Sequence, residues 1–461
     1  MKRREFVKKA GAIAAFSNIQ FPKSNFLMKN TLKNIKVVHT DSDFEREVLT
    51  RPFGFKGGYL TELWQAVAKI ESESGKTGIG LGTQSVLYGD ADLFTNYSES
   101  GGNALLYGLS DKALQIVKET SFQTPVDLVE KILPEVQQAG IGMTGKKDLN
   151  LNFIYNALIC VDNAAWLLYA AENDLKSFDA MIPAPYKEAL AVKNDKIAIM
   201  YQVSYGLPVE DIKRAAEQGY FVIKIKAGHP GTQKEMVEKD MARLTEIHNA
   251  LKDIRTDQTS NGKLIYTLDP NGRYEKKETL MRYVDHAKKI GAFDQFLLIE
   301  EPLTETNEEN VSDVGIRITA DESVHDEKDA IRRLDQGYEG MVLKGIAKTL
   351  SLSMKIARLA HERNVPCFCA DLTVNPILID WNKNLAARLG PFPGLGMGMG
   401  MMETNGDVNY RDWPRMVGYH PSGKASWTQP RKGVFELNQE YYDRSGGIFE
   451  PLAHYEKMFK S

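Results

Sequence analysis

The chain has 461 residues, 43% apolar and 26% charged, with a formal net charge of −3. This composition is ordinary for a globular protein. It is too long for one common domain of roughly 100–200 residues, and it gives no reason to expect nucleic-acid or membrane-surface binding. No run of about 18 or more apolar residues suggests a spanning helix, and Cys160, Cys367 and Cys369 lack metal or disulfide spacing, so they read as buried apolar residues.

At the N-terminus, Arg3-Arg4-Glu5-Phe6-Val7-Lys8 precedes the weakly apolar run Ala10 to Phe16. The segment resembles a twin-arginine export signal, a receptor-read address for folded proteins. Residues 1–30 are therefore set apart from the fold, and a periplasmic location is expected, or a cytoplasmic one if the signal does not function.

Residues 31–190 show no regular strand–helix alternation and read as an α+β domain. Leu63 to Ile70 predicts a strand, Ser74 to Gly78 a turn, and Ile79 to Leu81 a returning strand. Asp111 to Thr120 and Pro125 to Gln138 predict amphipathic helices, and Asn156 to Glu172 an apolar one. From about 191 to 402 the pattern changes to alternation. Strands are predicted at Lys196–Val203, Tyr220–Lys226, Leu264–Leu268, Phe296–Ile299, Arg317–Ala320, Gly340–Leu343, Val365–Ala370 and Gly396–Met401. Helical patterns separate most of them, which argues for a parallel sheet, and eight strands favour a closed (β/α)₈ barrel. No G-x-G-x-x-G opens a helix after the first strand, so a dinucleotide site is not expected. Residues 403–461 are rich in aromatics, lack the alternation, and are expected to pack back on the N-terminal domain.

Catalytic groups in such barrels come from the C-terminal ends of strands. Here the second barrel strand ends in Lys224-Ile225-Lys226, the third in Asp269-Pro270-Asn271, the fourth in Glu300-Glu301-Pro302, the fifth in Asp321-Glu322-Ser323 and the sixth in Lys344. Alternation puts Lys224 and Lys226 on one face. Carboxylates ending three successive strands suit a hard cation such as Mg²⁺. Glu301 and Glu322 should point the other way. A lone strand-end Asp is usually a helix cap and a lone lysine pair a solvated rim, but the ordered set has no such structural explanation.

These motifs resemble the enolase superfamily, in its muconate-lactonizing-enzyme and dipeptide-epimerase branch. The resemblance rests on Ile223-Lys224-Ile225-Lys226, Leu268-Asp269-Pro270-Asn271-Gly272, Ile299-Glu300-Glu301-Pro302-Leu303, Ala320-Asp321-Glu322-Ser323 and Val342-Leu343-Lys344. Pro52-Phe53 and the hairpin around Gly75 to Gly82 look like the start of a capping domain. The resemblance implies a (β/α)₈-type barrel with an N-terminal α+β capping domain completed by the C-terminal tail. It implies Asp269, Glu300 and Asp321 as Mg²⁺ ligands, Lys226 and Lys344 as the acid/base pair on opposite faces of a substrate α-carbon, and Lys224 as the auxiliary lysine. The implied chemistry is α-proton abstraction from a small anionic carboxylate through an ene-diolate, as is general in that superfamily. The implied reaction is epimerisation or racemisation of a dipeptide or N-acyl amino acid by a homo-oligomeric isomerase. Positive charge on Lys224 and the metal would lower the pKa of Lys226, and three carboxylates, three lysines and Mg²⁺ would leave two positive charges to attract the anion.

Dipeptide epimerases typically carry Asp-x-Asp after the eighth strand for the substrate ammonium; here the stretch is Glu403-Thr404-Asn405-Gly406. Asp371 either touches substrate or caps the following helix, and the cap is the expectation. His229 and His325 lie near the pocket mouth without a required role, and His361 reads as a surface residue. Substrate specificity is expected in Thr50 to Gly58 and Asp90 to Gly102. The alternatives are a cycloisomerase or dehydratase of the same branch, or a metal-independent aldolase with a Schiff base on Lys344. The twin-arginine reading has a direct test: replacing Arg3 and Arg4 by Lys should leave the protein in the cytoplasm on fractionation, and an unchanged location would show a basic tail only.

Overall fold

A computed structural model describes residues 32–118, 120–396 and 398–460; Arg3, Arg4 and the export-like segment lie outside the described residues. From Asn34 onward the chain forms one unit. It begins with three antiparallel strands, β1 (Ile35–Phe55), β2 (Gly58–Ser72) and β3 (Thr77–Gln84), and β4 (Ser121–Phe122) joins the edge to give the order β3-β2-β1-β4. The long β1 has no apolar alternation to reveal it, because its middle carries Asp41, Asp43, Glu45, Arg46 and Glu47. Cross-strand pairing supports this polar stretch instead: Arg46 Nη2 meets Glu62 Oε1 at 2.7 Å. Pro52 and Phe53 therefore close β1 rather than open the domain. The β1–β2 turn is Lys56-Gly57, with φ of 49° and 77°, the left-handed pair that fits the twist of a two-residue hairpin.

The helix Leu151–Glu172 lies against β3. Gly78 and Gly80 make that approach possible: a Cβ on either would stand 2.1 Å from helix backbone, at Ala164 O and at Ala164 N or Cys160 O. By length and composition this helix could cross a membrane, a property that a search for an unbroken apolar run passes over; it is the buried core helix of this domain. The predicted helix at 111–120 is the end of a longer one, Glu99–Lys118, whose early Gly101-Gly102 masks its start. The helix Pro125–Thr144 opens with a capping box between Thr124 and Asp127.

The barrel strands are β5 (Lys196–Val203), β6 (Val222–Lys226), β7 (Ile265–Asp269), β8 (Phe296–Glu300), β9 (Arg317–Ala320), β10 (Gly340–Leu343), β11 (Cys367–Cys369) and β12 (Gly400–Glu403). Each pairs in parallel with the next, and β12 pairs with β5 to close the ring. The last strand starts four residues later than predicted, after a glycine-rich turn with Gly398 at φ 60°. All three cysteines are buried thiols.

The C-terminal segment contributes β13 (Val434–Glu436), which pairs antiparallel with the start of β5. It also returns to β1, where Arg415 Nη2 meets Glu47 Oε2 at 2.7 Å and His454 Nε2 meets Glu45 Oε1 at 2.6 Å. A second joint fixes the sheet domain on the barrel: Asp162 of the core helix accepts the N–H groups of Leu350 and Ser351 at 2.8 and 3.2 Å, at the start of the barrel helix Leu350–Glu362.

Candidate active site

Parallel register sets Lys226 opposite Asp269 and Lys224 opposite Thr267. Both lysine side chains are buried and reach the same carboxylate, Asp269 Oδ2. Lys224 Nζ also donates to both oxygens of Glu300 at 2.9 and 2.8 Å and to Glu403 Oε2 at 2.9 Å. Lys344, from the far side of the barrel, pairs with Asp321 Oδ2. The structure thus brings Lys224, Lys226, Lys344, Asp269, Glu300 and Asp321 together at one end of the barrel, as the alternation of strand side chains requires.

The electrostatics follow from burial and crowding. Burial opposes charge on Lys224, but Asp269, Glu300 and Glu403 outweigh it and hold its ammonium well above the ordinary lysine value. Burial likewise opposes charge on Lys344, and Asp321 and Glu322 overcome it. Despite burial, Lys224 and Lys226 draw Asp269 below the usual carboxylate range, and Lys344 and Lys348 do the same for Asp321. Glu300 goes the other way: burial and the neighbouring Asp269 push its carboxyl well above that range, against the pull of Lys224.

Among the described residues, no three acidic, histidine or cysteine side chains stand ready-made around one point as a metal cage. The lysine ammonium groups engage the carboxylates instead. Asp321 meets Lys344 at Oδ2, and Lys348 lies 3.9 Å from its Oδ1. Asp269, Glu300 and Asp321 are an all-oxygen donor set from three adjacent strand ends, and that chemistry fits a hard divalent cation.

A small cavity of about 20 Å³ lies over Lys226 and Lys344, between the barrel and the sheet domain. The barrel contributes Gln202, Lys226, Asn271, Glu322, Lys344 and Asp371 to its lining. The sheet domain contributes Phe53, Phe55, Leu60, Leu63 and Tyr88. Lys344 Nζ lies 4.8 Å from the centre of the Tyr88 ring, and Lys226 Nζ lies 5.7 Å from that of Phe55.

Several side chains depart from the sequence reading. Glu322 was expected to face away; instead it lines the cavity, accepts from Asn271 Nδ2 at 2.9 Å and lies 3.9 Å from Lys344 Nζ. The reason is that β9 ends at Ala320, so strand alternation no longer governs residue 322. Glu301 does turn away from the cavity. At φ 37° it accepts from Asp321 N at 2.6 Å and Ser323 Oγ at 3.0 Å, pinning the start of the Asp321 loop, and burial pushes its carboxyl up to about 7. Asp371 does not cap the next helix; Asn375 does. Of the expected specificity segments, Thr50 to Gly58 supplies Phe53 and Phe55, whereas Asp90 to Gly102 is largely helical and only the preceding Tyr88 reaches the cavity. His229 bonds Asp240, His325 pairs with Glu305 and Asp329, and His361 is exposed; none lines the cavity. Sequence reasoning missed Lys348, whose ammonium donates to Asp321 O and to Val324 O at 3.0 Å; its spacing one helical turn after Lys344 was the available signal.

Residues 208–395 match a family model described as enolase C-terminal domain-like. No curated protein matches the chain. Among solved structures, the dipeptide epimerase of Enterococcus faecalis V583, complexed with Mg and L-Leu-L-Tyr, is 16% identical and aligns over 82% of this chain and 93% of its own, with a TM-score of 0.57. The 2-chloromuconate cycloisomerase of Rhodococcus opacus 1CP is 15% identical over 87% and 94%, with a TM-score of 0.58. The N-succinyl Arg/Lys racemase of Bacillus cereus ATCC 14579 is 13% identical over 82% and 89%, with a TM-score of 0.56. At these identities the shared property is the fold.

The lysine–carboxylate lattice makes a stability prediction. Lys224→Met leaves Asp269, Glu300 and Glu403 short of a buried counter-charge, which should cost about 3–5 kcal/mol at neutral pH. Carboxylates freed of the ammonium bind protons more tightly folded than unfolded, so the deficit should shrink as pH falls toward the carboxylate range. Urea unfolding at several pH values measures this, and an unchanged midpoint at neutral pH would refute it.

Proposed function

Because the barrel has the enolase C-terminal domain-like family over residues 208–395 and the chain has the enolase-superfamily fold, we propose that this protein is a Mg²⁺-dependent epimerase or racemase acting on a dipeptide or N-acyl amino acid. The carrying observation is that Lys226 and Lys344 line one cavity from β6 and β10, four strands apart in a ring of eight. Inversion at a carbon needs exactly such a pair, with a base on one face and an acid on the other.

Asp269, Glu300 and Asp321 would hold the Mg²⁺, which supplies positive charge to the substrate carboxylate as the α-carbon loses its proton. This chain's own residues carry the proton transfers. Lys344 reaches the cavity from β10 and delivers a proton to one face of the α-carbon. Lys226 faces it across the cavity and takes the proton from the other face, and the roles exchange for the opposite stereoisomer. Lys224 fixes Glu300 and Asp269 in place and adds positive charge beneath the substrate carboxylate. Phe55 and Tyr88 cover the two ammonium groups and keep water from the transferring proton.

The similarity to a cycloisomerase over most of the chain supports a second reading, in which only one lysine moves a proton. Proton NMR of each substrate stereoisomer in D₂O separates the two. Lys226→Ala should retain α-exchange with one isomer only, Lys344→Ala with the other only, and either should stop net inversion, with losses of roughly 10²–10⁴-fold. Wild-type exchange of both isomers by Lys344→Ala would remove the epimerase reading in favour of the one-base reaction.

A further inference from the structure

Asp371 follows β11, lines the cavity and is 5% exposed. Its Oδ1 is committed locally, accepting from the N–H groups of Leu372 at 2.6 Å and Val374 at 3.2 Å. Its Oδ2 is buried without a hydrogen-bond partner, and no cation among the described residues ion-pairs with it. The loop that presents it is held in place. Thr373 has φ 55°, unfavourable for a β-branched residue, while Asn409 Nδ2 donates to its Oγ1 at 3.0 Å and Tyr410 Oη donates to its carbonyl.

The other acidic groups near this corner are already used. Glu403 accepts from Lys224, Gln202 and the Asp371 N–H. Glu322 has Asn271 and lies within 3.9 Å of the Lys344 ammonium. A buried carboxylate oxygen without a partner is costly, and a cationic donor relieves that cost more fully than a neutral one. Counting Glu322, Asp371 and Glu403 with the three strand-end carboxylates, and Lys348 with the three lysines and a divalent cation, cancels the surplus of two positive charges. Such a site suits a carboxylate that also carries a cationic nitrogen.

We infer that Asp371 Oδ2 receives the α-ammonium of the substrate, so that the substrate is a dipeptide with a free amino group and not an N-acylated amino acid. Asp371 is then the specificity-determining residue, and Glu403 is a positioning residue for Lys224. The inference rests on the epimerase reading above.

The test compares L-Ala-L-Xaa dipeptides with their N-acetyl forms, by α-proton exchange in D₂O with Mg²⁺-loaded wild type and Asp371→Asn. Wild type should favour the free-amine form. Asp371→Asn should raise KM for that form about 10- to 100-fold more than KM for the N-acetyl form, the loss of one charge-assisted hydrogen bond. Asp371→Glu, which keeps the charge but shifts the oxygen, is the second variant, and its KM should fall between the other two. Equal losses on both forms would show that Asp371 only holds its loop, and a wild-type preference for the N-acetyl form would equally overturn the inference. If wild type exchanges neither form, the epimerase reading on dipeptides and N-acyl amino acids fails first, and the inference falls with it.

Discussion

Lys224 carries its charge at the centre of the barrel, within 3.0 Å of carboxylates from three strands, β7, β8 and β12. Burying an isolated ion of this kind costs several kcal/mol, and so does burying each of its partners. Together they are tolerable because Lys224 meets three carboxylates at once, while Asp269 and Asp321 each meet two ammonium groups. The pattern continues outward: Lys226 shares Asp269, Lys344 and Lys348 face Asp321, and Glu301 ties the Asp321 backbone to Arg333. Little else in the molecule requires so many charges to be buried together, and the strand ends, the loops after them and the covering domain all bear on this lattice.

The sheet domain is the second requirement. A charged lattice open to bulk water would lose most of its electrostatic leverage. The aromatic and aliphatic side chains of β1, β2 and the helix containing Tyr88 cover it, and the joints at Asp162, Glu45 and Glu47 hold that cover on the rest of the chain. The polarity of β1 fits this role: its far end contributes Phe53 and Phe55 to the cavity, while its middle pairs with β2 and with the C-terminal segment.

The barrel was legible in the sequence because its strands are short apolar runs between helices with clear starts, and because chemistry in this architecture sits where strands end. Lys224, Lys226, Asp269, Glu300, Asp321 and Lys344 could therefore be picked out one strand at a time. The fates of Glu322 and Asp371 were not legible, since both lie beyond strand ends, where loop conformation and not alternation decides direction. The strand β1 was hidden by its charges, and the contribution of Tyr88 by the irregular short helices around it. The engagement of Glu403 with Lys224 depends on a contact between residues 179 apart, which no local pattern encodes.

The central claim is the proposal that Asp269, Glu300 and Asp321, from three adjacent strand ends, together hold a divalent cation. Titrating Mg²⁺ into metal-free protein by calorimetry tests it most directly. Wild type should bind one Mg²⁺ per chain, and Asp269→Asn, Glu300→Gln and Asp321→Asn should each weaken that binding while remaining folded. Wild-type protein that takes up no Mg²⁺, or variants that bind it as tightly as wild type, would contradict the account.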